Sequence, residues 1–206
     1  MFITLEGPEG SGKTTAVDAA VRALEEKGYQ IVRTREPGGT PISEQIRNVI
    51  LDKANTAMDG RTEALLYAAS RRQHLVEKVW PAIKEGKIVI CDRYLDSSLA
   101  YQGGARGLGV ENILNINLFA TENTWPDLTL LFDIKPEIGL QRIASNADRE
   151  VNRLDLEKIE FHNKVRDTFL ELARRYPDRY VVIDASKSRE EVAKATLDAI
   201  LNKLCK

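Results

Sequence analysis

The chain reads as an α/β protein built on an open parallel sheet, and two features predict it. Short, nearly uninterrupted apolar runs alternate with longer amphipathic stretches along all 206 residues. Several of those runs end on a charged residue, at the strand ends where open α/β sheets bind ligands. Strands alternating with helices imply right-handed crossovers, and strands apolar on both faces belong in a sheet covered by helices on both sides.

The elements follow in order. A first strand is predicted at Phe2–Glu6, then a helix from the spacing of Val17, Val21 and Leu24, stopped by Gly28. A second strand is predicted over 30–34 and a third over 87–91, centred on Ile88-Val89-Ile90. Between them the stretch 61–85 is helical in pattern. Leu128–Asp133 and Tyr180–Asp184 complete five strands. Val165, Phe169, Leu172 and Tyr176 mark a helix before Pro177, and Ala193, Leu197, Ile200 and Leu204 mark a last one. No repeat, low-complexity tract or Pro/Ser-rich linker divides the chain, so a single domain over 1–206 is expected.

Composition narrows the function classes. Thirty Lys+Arg stand against 31 Asp+Glu, a net charge of −1, which argues against a nucleic-acid polymer as the main partner. Cys91 and Cys205 cannot form a disulfide framework, and Cys91 follows an apolar run as a core thiol does. No apolar stretch approaches the ~20 residues that cross a bilayer. The start, MFITLEGPEG, lacks the basic and apolar regions of a signal peptide, so a cytoplasmic protein without membrane contact is expected.

The first strand runs into Gly7-Pro8-Glu9-Gly10-Ser11-Gly12-Lys13-Thr14, a complete GxxxxGK[ST] pattern. Glycines let successive N–H groups point inward at phosphate oxygens, and the following helix adds its positive N-terminal end. Lys13 is placed for the β- and γ-phosphates and Thr14 for Mg²⁺, with Thr15 alongside in the ATP site. The fold expected is therefore that of P-loop NTPases. The NKxD and DxxG motifs of GTPases do not occur; Asn163-Lys164 is followed by Val165-Arg166 on an amphipathic helix. Of the strand-end aspartates, Asp133 and Asp184 read as turn or helix-cap residues. Asp92 is followed at once by Arg93, which reads either as a metal-water ligand beside a phosphate-binding arginine or as a local ion pair.

Two further constellations are ambiguous on spacing alone. Tyr67 and Arg71 lie i, i+4 on one helix face, suited either to stacking on a base or to core packing. Arg72 points about 100° away, toward solvent or a subunit contact. Arg142, Arg149 and Arg153 flank a polar stretch, and 142–154 reads either as a lid whose arginines close over a transferring phosphoryl group or as a solvated loop of mixed charge.

Taken together, LEGPEGSGKTT, TREPGGTPISEQIR, LLYAASRRQHL, CDRYLDSSLAYQGGARGLG, PDLTLLFD and NRLD resemble the bacterial thymidylate kinases, a nucleoside monophosphate kinase family. The resemblance implies a five-stranded parallel sheet of nucleoside monophosphate kinase type, a homodimer, and Mg²⁺·ATP-dependent conversion of dTMP to dTDP on the route to dTTP. It places Glu9 near the acceptor sugar, Arg47 and Arg93 on the monophosphate, and Glu36 and Pro37 in the acceptor wall. Tyr67 resembles the residue that stacks on thymine, Arg71 the donor to its carbonyl edge, and Ser97 and Gln102 further base contacts. Tyr101 resembles the residue that crowds the sugar 2′ position. Arg142 is expected at ATP. The phosphate loop has no arginine, so the chain is similar to the class whose catalytic arginine lies in the lid, with Arg149 favoured over Arg153. The rival expectations are another nucleoside monophosphate or deoxynucleoside kinase, and a non-catalytic ATP-dependent binding module.

Overall fold

A computed structural model describes residues 1–145 and 153–205. The expected lid arginine Arg149, and most of the 142–154 stretch, lie outside the described residues.

Five parallel strands form one sheet in the order β2-β3-β1-β4-β5, where β1 is Phe2–Glu6, β2 Ile31–Arg35, β3 Ile88–Asp92, β4 Leu128–Asp133 and β5 Tyr180–Asp184. The central β1 is buried along its whole length, its polar Thr4 and Glu6 included, as in a strand covered on both faces. Only β2 and β3 differ from the sequence expectation, each by one residue. Arg35 pairs with Asp92 in the parallel ladder, so hydrogen bonding carries both strands past the point where the apolar pattern ends.

Alternate β1 side chains feed two cores. Ile3 and Leu5 pack with Val17, Val21 and Leu24 of α1 (Lys13–Glu26) and Ile200 of α9 (Arg189–Leu204). On the other face Phe2 and Cys91 meet Leu75, Leu99, Val165 and Phe169, beneath α3 (Gly60–His74), α6 (Val110–Thr121) and α8 (Ile159–Arg175). The helical stretch after β2 is thus α3, begun by Asp59, whose carboxylate accepts from the N–H groups of Arg61 and Thr62. It continues through a wide turn at Leu75–Val79 into α4 (Trp80–Lys84), where Pro81 withholds its N–H from the ladder. Between β2 and α3 lies α2 (Pro41–Leu51), and after β3 come α5 (Leu95–Ser98) and a second wide turn, Leu99–Ala105. The helix after β4 is α7 (Pro136–Ala144).

The carboxyl ends of the strands therefore gather at one edge, bringing Glu6, Arg35, Asp92 and Asp133 together with the loops that follow. Asp133 does not cap a helix as expected. Its two oxygens accept from Arg166 Nε and Nη2 at 2.7 and 2.8 Å, because α8 brings that guanidinium over the strand end before α7 can use the carboxylate. Asp184 does make a turn, accepting from the Ser186 N–H and Oγ at 3.0 and 2.6 Å.

Candidate active site

The loop between β1 and α1 wraps the side chain of Lys13. Its Nζ donates to the Gly7 and Pro8 carbonyls at 3.3 Å and to Ser11 Oγ at 3.2 Å. Gly7 has φ +142°, and a Cβ there would meet the Phe132 carbonyl oxygen at 2.5 Å, so only glycine lets the loop leave the strand beside β4. Burial, with Arg93 close by, lowers the Lys13 ammonium to a pKa of about 8. Thr14 and Thr15 at the start of α1 are exposed. Arg142 of α7 lines this cavity and the adjoining hollow formed by Thr15, Lys187, Arg189 and Val192, and donates to the Ala185 carbonyl at 3.1 Å.

A second cleft adjoins the first, and Glu9, Asp92 and Arg93 line both. Arg93 sits at φ +69°, a strained backbone for a residue other than glycine, of the kind that clusters at functional sites. That conformation turns its guanidinium back over the loop. Nη1 donates to the Gly7 carbonyl and to Ser97 Oγ, each at 3.1 Å, and Nη2 pairs with Glu9 Oε1 at 2.6 Å. Tyr101 Oη donates to the same Glu9 oxygen at 3.1 Å, and the guanidinium lies 5.1 Å from the Tyr101 ring centre. Asp92 is not the ion-pair partner of its neighbour. Its Oδ1 is buried and meets no hydrogen-bond donor among the described residues.

Farther into the cleft, Arg71 is almost wholly buried. It donates from Nε to Glu36 at 2.7 Å, from Nη1 to Ser98 Oγ at 3.0 Å and to Asn117, and from Nη2 to the Tyr94 carbonyl at 2.9 Å. Glu36 precedes a cis peptide to Pro37, whose carbonyl accepts from Arg47 Nη1 at 2.9 Å. Gln102 donates from Nε2 to Glu63 at 2.8 Å. Tyr67 is buried and lines the cleft at once, so the core and pocket readings of its helix face both hold.

The family model described as Thymidylate kinase matches residues 5–196. The chain belongs to the thymidylate kinase family. A thymidylate kinase of Geobacillus sp. (strain WCH70) is 57% identical over 203 residues, covering 98% of this chain and 97% of that one. The thymidylate kinase of Clostridium novyi (strain NT) is 61% identical over 191 residues, 93% of each chain. A crystal structure of thymidylate kinase from Ehrlichia chaffeensis superposes with a TM-score of 0.78 at 32% identity, covering 98% of both chains.

In this member of the thymidylate kinase family all ten residues expected on the acceptor side line one cleft: Glu9, Glu36, Pro37, Arg47, Tyr67, Arg71, Arg93, Ser97, Tyr101 and Gln102. Arg153 is the exception among the cations, and the lid expectation for it is corrected. It is buried, its Nε donates to the Ile50 carbonyl at 3.0 Å, and its Nη2 pairs with Glu63. It opens the short helical turn Arg153–Leu156, whose Leu154 is seated in the core, and the buried Glu63 carboxylate draws the guanidinium toward α3 behind the second cleft.

Several residues that hold the lining of the cleft in place lie behind it and were not expected from the sequence. Glu63 lies four residues before Tyr67 on the same helix face, so its place could have been read from spacing. Glu6 is fully buried at the end of β1 and accepts from the Tyr94 N–H at 2.8 Å and Ser97 Oγ at 2.5 Å. Burial, reinforced by the charge of Asp96, pushes its carboxyl up to about 8. His74 stands 2.9 Å from Glu36 and 2.6 Å from Thr34 Oγ1, steadying the carboxylate that holds Arg71. No local pattern announces these pairings.

Proposed function

We propose that the chain phosphorylates dTMP to dTDP by direct in-line transfer from ATP, with all of residues 1–206 serving as one kinase domain. The observation that carries this reading is the shared wall of the two cavities. A phosphate loop on one side and a nucleotide-sized cleft on the other have Glu9, Asp92 and Arg93 in common, so donor and acceptor phosphates would meet there.

The residue roles follow from chemistry. Gly7 to Thr15 surround the ATP phosphates, which accept from the backbone N–H groups of that loop other than at Pro8, Lys13 bridges the β- and γ-phosphates, and Arg142 flanks the rest of the nucleotide. Arg93 and Arg47 grip the monophosphate, Glu9 and Tyr101 face the sugar, and Tyr67 stacks on the base. Arg71, Ser97 and Gln102 address the base edge against the wall of Glu36 and Pro37. The attacking oxygen already belongs to an anion, so no strong general base is required, and catalysis is positioning plus charge neutralisation. Arg149 is assigned the transferring group; Arg153, tied to Glu63, is not.

Mg²⁺ fits the residues present. Asp92 Oδ1 is a buried acceptor without a donor among the described residues, and Thr14 is exposed at the phosphate loop. These two would hold the ion, Asp92 through water, and Mg²⁺ when bound supplies neutralising charge at the phosphates.

A homodimer is supported by apolar side chains left in solvent on helices that pack together. Ile42 and Val49 of α2, Leu65 of α3 and Phe119 of α6 are all exposed, Phe119 by 90%. Among the described residues no helix is long and apolar enough to cross a membrane. Two free cysteines and soluble nucleotide substrates support work in the cytoplasm.

A coupled assay of ADP release with dTMP, dUMP, UMP and thymidine tests the reading. ADP should appear with dTMP and not with thymidine, which offers no phosphate oxygen. Silence with dTMP, or turnover of thymidine alone, would overturn it.

A further inference from the structure

The buried carboxylate of Glu63 sits at the back of the acceptor cleft, 1% exposed. Four donors reach it: Gln102 Nε2 at 2.8 Å, Arg106 Nε and Nη2 at 3.3 and 3.2 Å, and Arg153 Nη2. Burial alone would raise its pKa, but the hydrogen bonds from Gln102, Arg106 and Arg153 outweigh it and hold the carboxyl below the ordinary range. An ionised carboxylate only accepts hydrogen bonds. The Gln102 amide must therefore turn its NH₂ toward Glu63, and its carbonyl oxygen is left as the end that can meet a ligand. No group among the described residues donates to that oxygen.

Gln102 and Arg71 line the same cleft. Arg71 can only donate, and four of its five N–H bonds are already engaged with Glu36, Ser98, Asn117 and the Tyr94 carbonyl. Arg71 is held at Ser98, four residues before Gln102 on the same helical stretch, so the cleft offers a donor from Arg71 and, one turn on, an acceptor from Gln102. A 4-keto pyrimidine presents the complement, an acceptor oxygen beside a ring N–H. A 4-amino pyrimidine presents a donor beside a bare ring nitrogen, and both contacts would be mismatched. Sites built on such pairing reject the mismatched ligand strongly, because buried polar groups are left unpaired.

We propose that Glu63 is a specificity-determining positioning residue: by fixing the orientation of the Gln102 amide, it makes the cleft select 4-keto over 4-amino pyrimidine monophosphates. Arg106 and Arg153 keep that carboxylate charged and in place. The inference rests on the reading of this cleft as the acceptor site.

The test compares dTMP with dCMP as acceptors at saturating ATP, in the wild-type chain and in Glu63→Gln. A glutamine at 63 can donate or accept, so the Gln102 amide is no longer obliged to face one way. The dTMP-to-dCMP ratio of kcat/KM is expected to narrow at least tenfold in E63Q, mainly through KM for dTMP. In a Gln102→Ala background E63Q should then change the ratio no further. If E63Q does not fold, Glu63→Asp serves, since its side chain is one methylene shorter, withdraws the carboxylate from the Gln102 Nε2 it now meets at 2.8 Å, and should narrow the ratio. A ratio unchanged in whichever variant folds, with both acceptors losing turnover in parallel, would assign Glu63 a structural role and overturn the proposal. A wild-type chain that uses dCMP as readily as dTMP would overturn the acceptor-site reading itself, a result distinct from an unchanged ratio in the variant.

Discussion

Arg93 Nη2 and Glu9 Oε1 meet at 2.6 Å across 84 positions of sequence, where the phosphate loop and the acceptor cleft join. The pairing holds a guanidinium, in a strained backbone conformation, over the place where two phosphates would come together. Glu9 therefore sets where Arg93 can point, and Tyr101 shares the same oxygen. Glu9→Ala should free Arg93 and raise KM for dTMP about tenfold, the scale of one lost charge-assisted hydrogen bond. Steady-state kinetics with varied dTMP would show it, and an unchanged KM would remove Glu9 from the acceptor site.

Lys13 is the lysine wrapped by the phosphate loop, and Lys13→Ala should lower kcat/KM on the order of 10³-fold. Near-normal turnover would refute its assignment. Its lowered pKa of about 8 also has a thermodynamic signature. Phosphate oxygens favour the ammonium form, so ATP binding near pH 8.5 should take up protons. Titration calorimetry in buffers of different ionisation enthalpy measures that uptake, and K13A should abolish it.

Arg71 is at once a cleft residue and a buried structural cation, so Arg71→Ala should do two things. Leaving Glu36 buried without its guanidinium should cost about 3 kcal/mol of stability. The variant should also raise KM for dTMP by about tenfold or more. Arg71→Lys separates the two effects: it keeps the charge but loses the planar fork. A smaller loss of denaturant stability than in R71A, with a comparably raised KM, is the expected result, and an unchanged KM in a folded R71K protein would leave Arg71 with a structural role alone.

Glu6 links stability to pH. Its folded pKa is raised from 4.5 to about 8, so the native chain holds a proton that the unfolded chain has released. Its stabilising contribution is complete below about pH 4.5 and is lost as pH rises toward 8. Glu6→Gln, with an amide that does not titrate, should flatten that part of the profile. Urea unfolding of both proteins from pH 5 to pH 8.5 checks the sign; parallel profiles would show that Glu6 is ionised throughout.

Much of the site was legible without coordinates because its signals are local or periodic. The phosphate loop is eight consecutive residues whose spacing is dictated by the approach of a backbone to phosphate. Tyr67 and Arg71 share a face because a helix returns every 3.6 residues. The bounds of β1, β4 and β5 coincide with largely apolar runs that each end on an acidic residue, Glu6, Asp133 and Asp184, whereas β2 and β3 each slid by one residue under the pull of ladder pairing.

Partnership was not legible. Arg153 reads in sequence as a lid cation beside Arg149, yet it finds Glu63, 90 positions away, because a core leucine next to it anchors the turn against α3. Asp133 reads as a turn or cap residue, yet α8 delivers Arg166 to it. Glu6 reads as the polar end of a strand, and only its enclosure beneath α5, beside the charge of Asp96, makes it a carboxyl that keeps its proton.

By itself, then, the sequence determined the sheet and the nucleotide loop, which depend on residue type at short or periodic spacing, and its motifs determined the family, whose resemblance supplied most of the residues that line the second cleft. Only the tertiary structure decided which charges meet, which are shielded from water and which way an amide such as Gln102 faces. Those depend on Coulomb attraction and desolvation between residues tens of positions apart, quantities that exist only once the elements have packed.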